Sequence, residues 1–127
     1  MPGVASLGPM SADATAHEFF ESYTRALLAR DAPRIAAHYA VPALIEFPDQ
    51  AIAVSDAAQT EQFFAAAIGQ YDGVSAASAA LTVVAEARHS LWVDVTWTYD
   101  GTPAERNMYQ LVRADGSWRI AVLTPLD

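Results

Sequence analysis

Apolar residues follow two different rhythms along this chain. In the first half they recur every three or four residues; from about residue 78 they alternate with polar ones. Ser11 or Asp13 can cap a first helix that runs to about Arg30, with Phe19 or Phe20, Tyr23 and Leu27 on its apolar face. Asp31 followed by Ala32 and Pro33 predicts a second, short helix through Ile35 to about Tyr39, ended by Pro42. Leu44–Phe47 predicts a short strand, stopped at Pro48 and Asp49 and pairing back with Ala51–Val54. Asp56 caps a third helix carrying Phe63, Phe64, Ile68 and Tyr71, closed by an Asp72-Gly73 turn.

Four longer strands follow, near Ser78–Arg88, Leu91–Tyr99, Arg106–Ala114 and Trp118–Pro125. They are separated by turns at Arg88–Ser90, Asp100–Pro103 and Asp115–Ser117, which predicts an antiparallel meander. Helices first and strands later argue for an α+β domain rather than βαβ alternation. The second of the four strands alternates throughout. Leu91, Val93, Val95, Trp97 and Tyr99 share one face; Trp92, Asp94, Thr96 and Thr98 share the other. The first set should meet the helices. The second should face solvent or a partner, with Trp92 as an interface anchor.

Composition narrows the possibilities. Apolar residues make up 53% of the 127 residues and charged ones 17%, a globular balance that suits one domain. The chain is expected to form that domain over residues 11–127, after a disordered lead-in over residues 1–10 that is rich in Gly and Pro. Met10, just before the Ser11 cap, is an alternative start. A net charge of -8 argues against a nucleic-acid backbone or an anionic membrane as partner. There is no cysteine, hence no disulfide, thiolate nucleophile or Cys-bound zinc, which fits a cytoplasmic setting. His17, His38 and His89 lack metal-ligand spacing; His17 and His38 fall on polar helix faces and His89 at a turn. No phosphate loop, nucleophile elbow or His-Glu-x-x-His stretch occurs, so no metal or cofactor is expected.

The order α-α-β-β-α-β-β-β-β, with a closing hairpin "YQLVRADGSWRIAVL", resembles the NTF2-like (SnoaL-like) superfamily from Ser11 to Leu126. That resemblance implies a curved antiparallel sheet forming a cone around N-terminal helices. The stretch "YTRALLARDAPRIAAHYAVPALIEFP", Tyr23 to Pro48, is similar in spacing to bacterial ketosteroid isomerases. The resemblance places Tyr23 on the tyrosine that stabilises a dienolate oxygen. It places Tyr39 on a second tyrosine of that network, and Asp31, Glu46 and Pro48 on matching positions. The family's catalytic base is an aspartate where this chain has Phe47. A phenyl ring cannot take a proton, and losing a general base removes roughly 2–4 orders of magnitude in rate. Ketosteroid isomerase activity is therefore not expected. The family's second oxyanion donor, a protonated aspartate, has no clear match; Glu105, beside a turn, is the nearest acid.

Three readings follow. The first is a cavity protein for a small, mostly apolar molecule, with Tyr23 as the principal polar contact and only catalytic candidate, and Phe20, Tyr39, Phe47, Phe64, Trp97 and Tyr109 around it. Asn107, Tyr109 and Gln110 share a strand whose parity the sequence leaves ambiguous, and one of them should reach the pocket. The second is a cofactor-free isomerase, cyclase, dehydratase or hydrolase of a ring-bearing metabolite, which requires a titratable group beside Tyr23. The third is a homodimeric interaction module using Trp92, Thr96 and Thr98. Glu46 and Asp94 are expected on the outer face, and Asp49 and Asp56 in turn and cap positions.

Overall fold

Ser11 caps helix α1, Ala12–Leu28, by accepting a hydrogen bond from the Ala14 amide at 3.1 Å. The computed structural model describes residues 11–47 and 49–126. The expected lead-in and the role given to Pro48 lie outside the described residues. α1 ends in a Schellman motif: Arg30 takes φ 53°, the Arg30 amide donates to the Leu27 carbonyl at 3.1 Å and the Asp31 amide to that of Ala26 at 3.3 Å. The left-handed backbone costs a non-glycine residue something. Its side chain offsets that cost, because the Arg30 guanidinium donates to the carbonyls of Leu28, Tyr71 and Val74.

Asp31 caps α2, which covers only Ala32–Ala36. The expected continuation to Tyr39 does not form; Tyr39 opens strand β1, Tyr39–Phe47. Two physical causes favour the early stop. The His38 ring donates from Nδ1 to the Arg34 carbonyl at 2.7 Å, satisfying one of the helix's last acceptors. Val41 precedes Pro42 and is therefore pressed toward extended backbone. β1 pairs antiparallel with β2, Gln50–Val54, and parallel with the last strand, with a register shift between Tyr39 and Leu44.

Asp56 and Gln59 form a reciprocal capping box at the start of α3, Ala57–Ala67. A 3-10 turn, Ile68–Tyr71, follows. The meander then runs through β3 (Ala77–Ala87), β4 (Ser90–Tyr99), β5 (Thr102–Ala114) and β6 (Ser117–Leu126). Asp100-Gly101 and Asp115-Gly116 both have positive φ at the two turn positions, the backbone of a two-residue type I′ hairpin. The Asp100 carboxylate also accepts from the amides of Ser75 and Ala76, tying the entry of β3 to the β4–β5 turn.

The sheet order is β2-β1-β6-β5-β4-β3, antiparallel throughout except for β1 with β6. This is the expected α+β architecture with one parallel neighbour pair. The inner face and the helices share one core that includes Phe20, Tyr23, Ile35, Ile45, Val93, Trp97, Leu111 and Ile120. Along β4, buried and half-buried residues alternate from Ser90 to Thr98, with Leu91, Val93, Val95 and Trp97 inward.

Candidate functional site: a tyrosine-lined cavity

The inner face of the sheet does not close fully on the helices. A cavity of about 320 Å³ remains, within the usual range for small-molecule sites. Tyr23 and Leu27 reach it from α1, Tyr39 and Phe47 from β1, Phe63 and Phe64 from α3, and Tyr71 from the 3-10 turn. Trp97 from β4, Ala104, Glu105, Arg106, Asn107 and Tyr109 from β5, and Leu123, Pro125 and Leu126 from β6 complete the wall.

Each polar group arrives by simple periodicity. Tyr23 lies four residues before Leu27 on one helical face. The β4–β5 register sets Glu105 opposite Trp97, Asn107 opposite Val95 and Tyr109 opposite Val93, so these three side chains share the inward face. Met108 and Gln110 take the opposite parity. Gln110, one of the three polar candidates on this strand, therefore points away from the cavity, and its amide approaches Ser90.

Two hydroxyl centres result. Tyr23 and Tyr39 meet hydroxyl to hydroxyl at 2.7 Å. The Tyr109 hydroxyl accepts from Trp97 Nε1–H at 2.9 Å and from Asn107 Nδ2–H at 3.2 Å. Burial raises all three phenols above their ordinary pKa, and neighbouring tyrosines raise Tyr23 further. All three therefore stay neutral hydroxyls across the accessible pH range. They can donate hydrogen bonds or polarise a ligand oxygen, but they are not bases at neutral pH. The rings hold one another in place: Phe20 packs edge-on at 4.9 Å from Tyr109 and 6.3 Å from Trp97, and Tyr39 lies tilted at 5.2 Å from Phe64.

Phe20 does not line the cavity. It is 1% exposed and sits behind the wall, where it supports Trp97 and Tyr109. Phe47 lines it and packs, tilted, against Phe63 with ring centroids 5.1 Å apart. The sequence does not single out Leu27, Phe63, Tyr71 and Leu123 as lining residues, because each reads equally well as core. Glu105 proves to lie on the cavity face of β5, where it accepts from Tyr99 Oη–H at 3.1 Å. A shift of register between Trp97 and Thr98 brings it there despite the nearby turn. Glu46 faces the other way and accepts from Thr124 at 3.2 Å.

His38 is not on a solvent-facing helix surface. It is half-buried past the end of α2, with Ser22 Oγ–H donating to Nε2 at 2.9 Å and Phe19 and Tyr23 packed edge-on against the ring. Burial, together with the Arg34 and Arg25 charges, holds its pKa below 6.5; its bond to the Arg34 carbonyl acts in the opposite sense. Folding thus favours the neutral ring. The corresponding stability is complete above the unfolded-state value of about 6.5 and is lost as pH falls from there through the lower folded value. Denaturant midpoints between pH 8 and 5 should fall with pH, and His38→Gln should flatten that slope; an unchanged slope would remove His38 as its source.

Among the described residues no cluster of His, Cys, Asp or Glu could hold a metal ion. Among them, too, no helix is long and apolar enough to cross a membrane.

N-terminal helices followed by a six-stranded, mostly antiparallel sheet, with a cavity lined from both, are the arrangement of the NTF2-like class. The chain belongs to the family of NTF2-like proteins described as DUF6841, whose profile matches residues 12–127. No curated protein matches the sequence. Similar solved structures include Aln2 from a Streptomyces species, 17% identical, TM-score 0.69, covering 93% of this chain and 93% of that one. Yeast UBP3-associated protein BRE5 is 13% identical at TM-score 0.67, covering 93% of this chain and 97% of that one. A cystatin-like protein of unknown function from Nostoc punctiforme is 12% identical at TM-score 0.64, covering 93% of each. At these identities the likeness concerns the fold alone.

Proposed function

We propose that this domain binds a small, mostly apolar, ring-bearing molecule in the tyrosine-lined cavity. The observation that carries the reading is the wall itself: aromatic and aliphatic side chains surround two buried hydroxyl centres, Tyr23–Tyr39 and Tyr109. Such a wall gains from desolvating apolar ligand surface, and the hydroxyls orient it. An isomerase-type reaction asks for more. A base must reach the proton to be moved, whereas Phe47 occupies the position of the expected base and the partner of Tyr23 is another neutral phenol. Binding is therefore favoured over proton-transfer catalysis at Tyr23. Native mass spectrometry of the purified protein under gentle and then harsh activation tests this. A small-molecule increment that leaves on activation is the expected result. An apo mass throughout, even after incubation with fused-ring aromatics, would contradict it.

A second reading, compatible with the first, is a homodimer through the outer sheet face. There the half-buried Trp92 shares a face with Thr96 and Thr98, and Val84, exposed at the β3 bulge beside it, adds apolar surface. Trp92→Arg places a charge at the centre of that face and should convert a dimer to a monomer in light scattering. A dimer unaffected by the change would place the interface elsewhere.

A further inference from the structure

We propose that the cavity reads a ligand of fixed polarity: a fused-ring body with an acceptor oxygen at the Tyr109 end and a hydroxyl or amine donor at the Glu105 end. This rests on the small-molecule reading above and specifies the chemistry of that ligand.

The inward stripe of β5 supplies the order. Glu105, Asn107 and Tyr109 alternate along one face, with Tyr109 2% exposed and Glu105 exposed at the rim. A phenolic oxygen has two lone pairs and one proton. At Tyr109 two N–H groups, from Trp97 at 2.9 Å and Asn107 at 3.2 Å, engage the oxygen as acceptor. What remains to offer a ligand is the O–H proton. N–H donation to the same oxygen polarises that bond and strengthens it as a donor. The inner end of the stripe thus selects an acceptor such as a carbonyl oxygen.

The rim end is opposite in sense. An ionised carboxylate only accepts, and Glu105 takes one hydrogen bond, from Tyr99 at 3.1 Å, leaving further acceptor capacity. The neighbouring cation does not neutralise it. Arg106 borders the cavity, but its guanidinium is engaged by Asp94, which it binds in bidentate fashion at 3.0 and 2.5 Å. With a net charge of -8 on the chain, an anionic ligand is disfavoured at this rim, and an N–H or O–H donor is favoured. Four residues of extended strand separate the two Cα atoms by roughly 13 Å. Between them Asn107 is turned to Tyr109, to which its amide donates, and Phe47, Trp97 and Leu123 supply the apolar part of the wall. A body of two or three fused rings fits that interval better than a single ring.

The test uses a matched probe set: 6-amino-2-acetylnaphthalene with both ends, 2-acetylnaphthalene with the acceptor only, 2-aminonaphthalene with the donor only, and naphthalene with neither. Dissociation constants come from ligand-detected NMR, on the parent and on Tyr109→Phe and Glu105→Met, both close in shape to the originals. The two-ended probe should bind about tenfold more tightly than either one-ended probe. Tyr109→Phe should weaken only the two acetyl probes, and Glu105→Met only the two amino probes, each by roughly five- to tenfold. Equal affinities for all four probes, or uniform weakening by both variants, would overturn the polarity while leaving a binding cavity in place. No binding of any probe, naphthalene included, would overturn the cavity reading itself.

Discussion

Phe20→Ala is expected to lower the unfolding free energy by about 3–5 kcal/mol, the usual cost of deleting a fully buried aromatic ring. Phe20 is 1% exposed and packs edge-on against Phe19, Tyr23, Trp97 and Tyr109 at once. Its removal leaves a void beside a cavity that is already present, and a protein with space on both sides of Trp97 and Tyr109 has little left to hold those rings in place. Such a loss lowers Tm by on the order of 10 °C or more in a domain of this size. Urea denaturation followed by circular dichroism measures the change. A cost below about 1 kcal/mol would mean that the ring is not the support described above.

The second large effect concerns binding rather than stability. Leu123 lies opposite Tyr109 in the β5–β6 ladder and lines the cavity. Leu123→Trp places an indole in the space that a ligand would occupy. The cavity has room for the added atoms, so the fold should be retained, whereas overpacking a filled core would cost about 1–3 kcal/mol. Affinity for naphthalene-class ligands should fall by at least about 30-fold, or ~2 kcal/mol. Retained affinity in a folded variant would place the binding site elsewhere.

Much of the architecture is legible in local chemistry. The caps at Ser11, Asp31 and Asp56 start the helices where their side chains accept backbone N–H groups. The two Asp-Gly turns and the alternation of β4 set the meander, because a two-residue turn fixes register and register fixes which face is buried. The end of α2 departs from the sequence pattern because its stop depends on partners beyond the local stretch. His38 caps the Arg34 carbonyl, and Tyr39 finds a strand partner at Ile120, far along the chain.

The cavity is only half legible. Tyr23 and Tyr39 stand out through a resemblance in spacing; the sequence alone does not bring their hydroxyls to 2.7 Å. On β5 both faces mix polar and apolar residues, so parity is settled only when β4 imposes its register. Glu105 sits four residues after the Asp100-Gly101 turn, where a bulge decides which way it points. Phe20 and Phe47 look alike as apolar positions, yet one supports the wall and the other forms it. The difference depends on which rings each one meets across the fold, Trp97 and Tyr109 for Phe20 and Phe63 for Phe47, which no local pattern records.

The most direct test of ligand binding is a methyl-detected NMR titration with Leu27 and Leu123 assigned, using a fragment set that spans fused aromatics, aliphatic acids and sugars. Both side chains face the cavity from opposite sides, one on α1 and one on β6. Saturable shifts of both methyl sets with fused aromatics, absent with acids and sugars and lost in Leu123→Trp at Leu27, are the expected result. Methyl positions that stay fixed with every fragment would contradict a small-molecule site in this cavity.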